Sequence, residues 1–148
     1  GWQSNAAREG GLDRVRYTGL AVCMPTGLNA TPKGMKLTFT SPLDPETASN
    51  PENYAVEIWN YRWTSAYGSA DYSTLPEEPG KPKDPKRKTH DPLAVKSAKL
   101  GDDGKSVFLE IEGVKPVMQM KITMRIQSAE KLPATYEVYN TIHELPGQ

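Results

Sequence analysis

"MQMKITMRI", residues 118–126, is the stretch that decides the class of fold. Met118, Met120, Ile122, Met124 and Ile126 alternate with Gln119, Lys121, Thr123 and Arg125. Successive side chains of a strand point to opposite faces, so this spacing describes a strand with one buried and one wet face. The same period runs through "GMKLTFT" (34–40), with Met35, Leu37 and Phe39 on one face, and "SVFLEIE" (106–112), with Val107, Leu109 and Ile111. No segment holds a 3.6-residue apolar period. Thirteen prolines and twelve glycines cut the chain into short pieces, which leaves no room for long helices.

Working outward, "DDGK" (102–105) joins "AVKSAKL" to "SVFLEI" and reads as a hairpin turn, with Gly104 taking positive φ. "TYEVYNTI" (135–142) reads as the last strand. "PLDPETASNPENY" (42–54) is a connection with a helical turn at Pro45–Ala48, because its prolines make a poor strand. "LPEEPGKPKDPKRKTHDP" (75–92) is proline-rich and charged, and is expected to be the exposed part of a long loop over 64–92. Short strands at this spacing, divided by turn residues, describe an antiparallel β-sandwich over residues 20–148. Residues 1–19 form an N-terminal extension with one short strand, "LDRVRYT", either borrowed from or belonging to a preceding domain.

Composition narrows the function classes. The 148 residues suit one domain. Eighteen basic residues balance eighteen acidic ones, so no field gathers nucleic acid or anionic lipid. No apolar run approaches the roughly 20 residues that cross a bilayer. The single cysteine, Cys23, excludes an internal disulfide and any multi-cysteine zinc site. It lies in the apolar "LAVCMP" and reads as a buried, inert thiol. His90 and His143 stand in no HxH or HExxH pattern and read as surface or turn residues. No GxSxG, GxGxxG or Walker A loop is present, and nothing marks a carboxylate pair for glycoside hydrolysis. The chain is expected to hold no catalytic residue, metal or cofactor.

The aromatic residues are concentrated in "VEIWNYRWTSAYGSADYS" (56–73). If Tyr54 to Trp63 is one strand, Tyr54, Val56, Ile58, Asn60 and Arg62 share one face. Ala55, Glu57, Trp59, Tyr61 and Trp63 share the other. The second face would carry three rings about 7 Å apart, pointing to solvent. Such a row marks a contact surface. Three readings stand: cover by the 64–92 loop, with Tyr67 and Tyr72 as part of it; an interface with a neighbouring domain; or a platform that stacks on sugar rings. For the last, Asn60, Arg62, Asp71 and Glu57 would bond hydroxyls. Rings also stack nucleobases, but the charge balance argues against that.

"GMKLTFTSPLDPETASNPENYAV" and "VKSAKLGDDGKSVFLEIEGVKP" resemble bacterial Ig-like modules of surface-layer and extracellular proteins, over about residues 25–142. The resemblance implies an Ig-like or fibronectin-III-like sandwich and is almost silent on function. "GWQSNAAREGGLDRVRYTG", "EIWNYRWTSAYGSADYS" and "KPVMQMKI" resemble part of very large secreted bacterial proteins. Those join a propeller like that of soluble sugar dehydrogenases to a c-type cytochrome domain. This implies a secreted or periplasmic location and brings no catalytic residue into the chain. The expectation is a non-catalytic module that binds a polysaccharide or oligosaccharide through Trp59, Tyr61, Trp63, Tyr67 and Tyr72. The alternative is a spacer that docks neighbouring domains of the same polypeptide.

Overall fold

The computed structural model describes residues 12–65, 67–75 and 89–147. Among the described residues nine strands follow in chain order: β1 (Pro25–Thr31), β2 (Gly34–Phe39), β3 (Tyr54–Tyr61), β4 (Asp71–Tyr72), β5 (Asp91–Leu93), β6 (Val95–Leu100), β7 (Ser106–Ile111), β8 (Val117–Gln127) and β9 (Pro133–Ile142). A four-residue helix, α1 (Pro45–Ala48), and a 3-10 turn (Pro51–Asn53) lead into β3. One sheet has the order β1-β2-β7-β6. The other has β4-β3-β8-β9, with β5 also on β3. Every pairing is antiparallel. This is the strand order of an immunoglobulin-type sandwich, widened by β4 and β5 at the β3 edge.

The alternating stretches make the core. Met35, Leu37 and Phe39 of β2 and Val107, Leu109 and Ile111 of β7 face Val56 and Ile58 of β3 and Met120, Ile122, Met124 and Ile126 of β8. Cys23 is buried, and burial pushes its thiol up. Met118 departs from the expected pattern and lies exposed. The β8–β9 register shifts between Val117 and Met120, so one irregular residue turns Met118 out. The "LDRVRYT" strand is also absent: residues 12–22 have no regular structure and are exposed. Residues 1–11 and the 76–88 part of the charged loop, including "KPKDPKRK", lie outside the described residues. Residues flanking that part supply β4 and β5 rather than open loop.

Local chemistry fixes the corners. Asp44 caps α1 by accepting from the Thr47 N–H at 3.2 Å, and Lys131 donates to its other oxygen at 2.9 Å. Lys131 holds that carboxyl below the usual aspartate range. Tyr54 donates to the Ala48 carbonyl at 2.9 Å, and burial pushes its phenol up. Gly104 has φ 64 in the 101–105 turn, as its place in "DDGK" predicts. The body's first anchored residues, Val22 and Met24, bond to Thr40 near the Leu43–Ser128 bridge. Ile142 pairs with Val117 at the opposite end of the sandwich. The folded body is therefore entered at one end and left at the other.

Gly34 presses its backbone on β7. A Cβ there would sit 1.9 Å from the Leu109 carbonyl oxygen. Gly34→Ala is expected to cost more than about 1 kcal/mol of unfolding free energy, read from the urea midpoint. Ile122→Ala, in the centre of the core, is expected to cost about 2–5 kcal/mol in the same assay.

Candidate functional site

The residues with most chemistry to offer lie on the outer face of the β3–β8–β9 sheet. The register sets Glu57 opposite Lys121 and Lys121 opposite Tyr139. These positions point outward because their neighbours Ile58 and Ile122 fill the core. Lys121 donates to Glu57 at 2.8 Å and lies 3.9 Å from Glu137. Tyr139 donates its hydroxyl to Glu137 at 2.9 Å. The Lys121 ammonium holds the Glu57 carboxyl below the usual glutamate range and is itself raised by Glu57. Glu137 pushes the Tyr139 phenol up.

Trp59 lies one outward step along β3 from Glu57, and it is covered. The His90 ring stacks on it with centroids 4.0 Å apart and planes 10° from parallel. Tyr139 meets it edge-on at 6.4 Å and 85°. His90 immediately precedes β5. Its Nε2 is 2.8 Å from Asp71 of β4, and its Nδ1 is 3.8 Å from Glu57. Next to it, Asp91 is buried and accepts from the Ser73 hydroxyl, the Thr74 N–H and the Thr74 hydroxyl. Burial works to raise the Asp91 pKa, but these donors outweigh it and the carboxyl is lowered. Two ties, His90–Asp71 and Asp91–Ser73/Thr74, thus hold residues 71–74 against residues 90–91, with His90 pressed on the Trp59 indole.

The expected row of exposed rings does not form. Trp59 is only 7 % exposed. Tyr61 ends β3 and is 39 % exposed, and Trp63 lies beyond the strand at 97 %. The pleat therefore never carries Trp63 into line with the other two. Of the three readings, cover by the 64–92 segment holds for Trp59, although His90 supplies the cover. Tyr67 is fully exposed and covers nothing. Tyr72 sits under the Arg62 guanidinium, 4.3 Å from its ring centre. The Asn60 side-chain oxygen accepts from the Met118 N–H at 3.1 Å, and Asp71 bonds His90. His90, Lys121, Glu137 and Tyr139 were not among the expected site residues. The outward positions of β8 and β9 could have pointed to three of them, whereas His90 needs the long-range β3–β5 pairing. His143 is exposed, as expected.

Chemically the cluster is a linked set of ion pairs and ring contacts, and its Glu57, Lys121 and Glu137 side chains line an open groove with Arg125. Among the described residues no three His, Cys, Asp or Glu side chains converge on one point for a metal. Asp71 and Glu57 engage opposite nitrogens of His90, so the three cannot share one ion. No helix among the described residues is long and apolar enough to cross a membrane.

Comparison by sequence finds no matching family model and no matching curated protein. Comparison of folds finds the surface layer protein SbsC. Its structures of domains 1–6 and of residues 31–844 each superpose with a TM-score of 0.53 at 15 % identity, covering 83 % of this chain. The N-terminal part of that bacterial S-layer protein gives 0.53 at 14 %. This chain spans 14 % of the two longer structures and 24 % of the third. The likeness establishes the all-β sandwich and nothing finer.

A double-mutant cycle on Trp59→Ala and His90→Ala is expected to give a coupling of about 0.5–1.5 kcal/mol in denaturant unfolding. The Asp91 carboxyl is lowered in the folded state from its ordinary 3.8. Its contribution is complete above that value and is lost as pH falls through the folded one. Asp91→Asn should therefore destabilise at pH 7 by about 1–3 kcal/mol and flatten the acid limb of a stability–pH curve.

Proposed function

We propose that this domain is a non-catalytic structural module of a larger exported polypeptide. It spaces and docks neighbouring domains. The observation that carries this reading is the cover on Trp59: one of the two indoles of the sugar platform is already stacked on the chain's own His90. The outer-face charges support it, since they bond one another across β3, β8 and β9 rather than opening toward a ligand. The placement of the two ends of the folded body supports it too, because it lets such modules stand in line. The fold neighbours add support of a coarser kind, since all are structures of one longer bacterial surface-layer protein in which a sandwich of this type is one part. On this reading the neighbours would be a propeller and a cytochrome domain, as in the large secreted proteins a segment of which this sequence resembles, and the location would be extracytoplasmic.

Glycan binding stands as the second reading, and exposed Trp63 is the observation in its favour. Native gels cast with cellulose, xylan, chitin or dextran derivatives separate the two. Unretarded migration of the domain in all of them is the expected result. Retardation that disappears in Trp63→Ala would overturn the spacer reading. For the spacer itself, small-angle scattering from three fused copies should give a maximum dimension that grows by one domain length per copy. A compact particle would contradict it.

A further inference from the structure

One side of the sandwich is left open. β9 is the last strand of its sheet, and among the described residues it pairs only with β8. Alternate backbone N–H and C=O groups along its ten residues therefore face away from the sheet. Its inward side chains are well covered at the ends, at Ala134 and Ile142, and only half-covered between them, at Tyr136 and Val138. Across the gap, Leu28 and Ala30 of β1 are half-covered in the same way. Between them the Asn140 side-chain oxygen is buried without a hydrogen-bond partner. The seam has the backbone and the apolar row that an added strand would satisfy.

The same chain carries a segment of matching pattern with nothing to pair to. Residues 12–18, "LDRVRYT", have no regular structure and are exposed, with Val15 at 96 % and Tyr17 at 80 %. On an extended chain Val15 and Tyr17 share one face with Asp13, and Arg14 and Arg16 share the other with Leu12 and Thr18. With the apolar pair turned into the seam, the two arginines lie along the outer face of β9. The exposed carboxylate of Glu137 is there, and its own cation, Lys121, is 3.9 Å away. Seven residues of strand cover about 23 Å, within the roughly 33 Å that β9 offers. Among the described residues no backbone pairing ties residues 12–18 to their own body.

We propose that residues 12–18 of one copy add as an edge strand to β9 of a second copy, closing the β1–β9 seam. The full 148-residue chain is therefore a self-associating module. This inference uses neither Trp59 nor Trp63, so it stands or falls apart from the spacer reading. Sedimentation of the full chain at rising concentration should show reversible association. Val15→Asp with Tyr17→Asp, at exposed positions that leave the fold intact, should weaken it by at least about tenfold. Glu137→Lys should weaken it too, and Arg14→Glu with Arg16→Glu should restore it in that background. Hydrogen exchange should show β9 amides gaining protection as concentration rises. A monomer at every concentration overturns the proposal, and so does association indifferent to Val15 and Tyr17. Protection of β9 that is independent of concentration places the strand on its own molecule and overturns it equally.

Discussion

The pairing of β3 with β8 governs the rest of the structure. With Glu57 opposite Lys121, Val56 and Ile58 enter the core beside Ile122 and Met120. A slip of β3 by one residue would turn Val56 and Ile58 to water and bring Glu57 inside, away from Lys121. The cost of burying an unpaired charge makes the slip prohibitive. The same register delivers Trp59 to the outer face. Its large apolar surface there is covered because β5 returns along β3 and lays His90 over it, with Tyr139 at its edge.

The outer face is therefore a fastening as much as a surface. Individually, exposed ion pairs contribute little. Here they are linked: Lys121 joins Glu57 to Glu137, Tyr139 joins Glu137 to the edge of Trp59, and His90 joins Trp59 to Asp71. The buried Asp91 adds three donors from Ser73 and Thr74. The result ties both stems of the 64–92 segment to the sheet. It also occupies the groups that a sugar or a metal ion would need.

That occupation shapes the functional reading. A binding site presents polar groups with unmet capacity around an accessible apolar surface. Around Trp59 most of this capacity is met within the chain, while the half-exposed Glu137, 3.9 Å from Lys121, keeps some of its own. Unmet capacity lies also at the β9 edge and its half-covered side chains, where the demand is for backbone and for an apolar strand. Sheets tend to satisfy such edges with another strand, from the same chain or from a partner.

The sequence by itself determined the core and the class of fold. Alternation in β2, β7 and β8, the Gly104 turn, the α1 turn and the burial of Cys23 are all local consequences of residue pattern and turn chemistry. It also determined which side of β3 Trp59 would take. Only the tertiary structure decided whether that side was open. The cover comes from His90, thirty-one residues further on, through a β3–β5 pairing that leaves no mark in either strand's own pattern. The irregularity that turns Met118 outward and the end of β3 before Trp63 were equally hidden. Side-chain alternation is a property of one strand, whereas exposure depends on every segment that later packs against it.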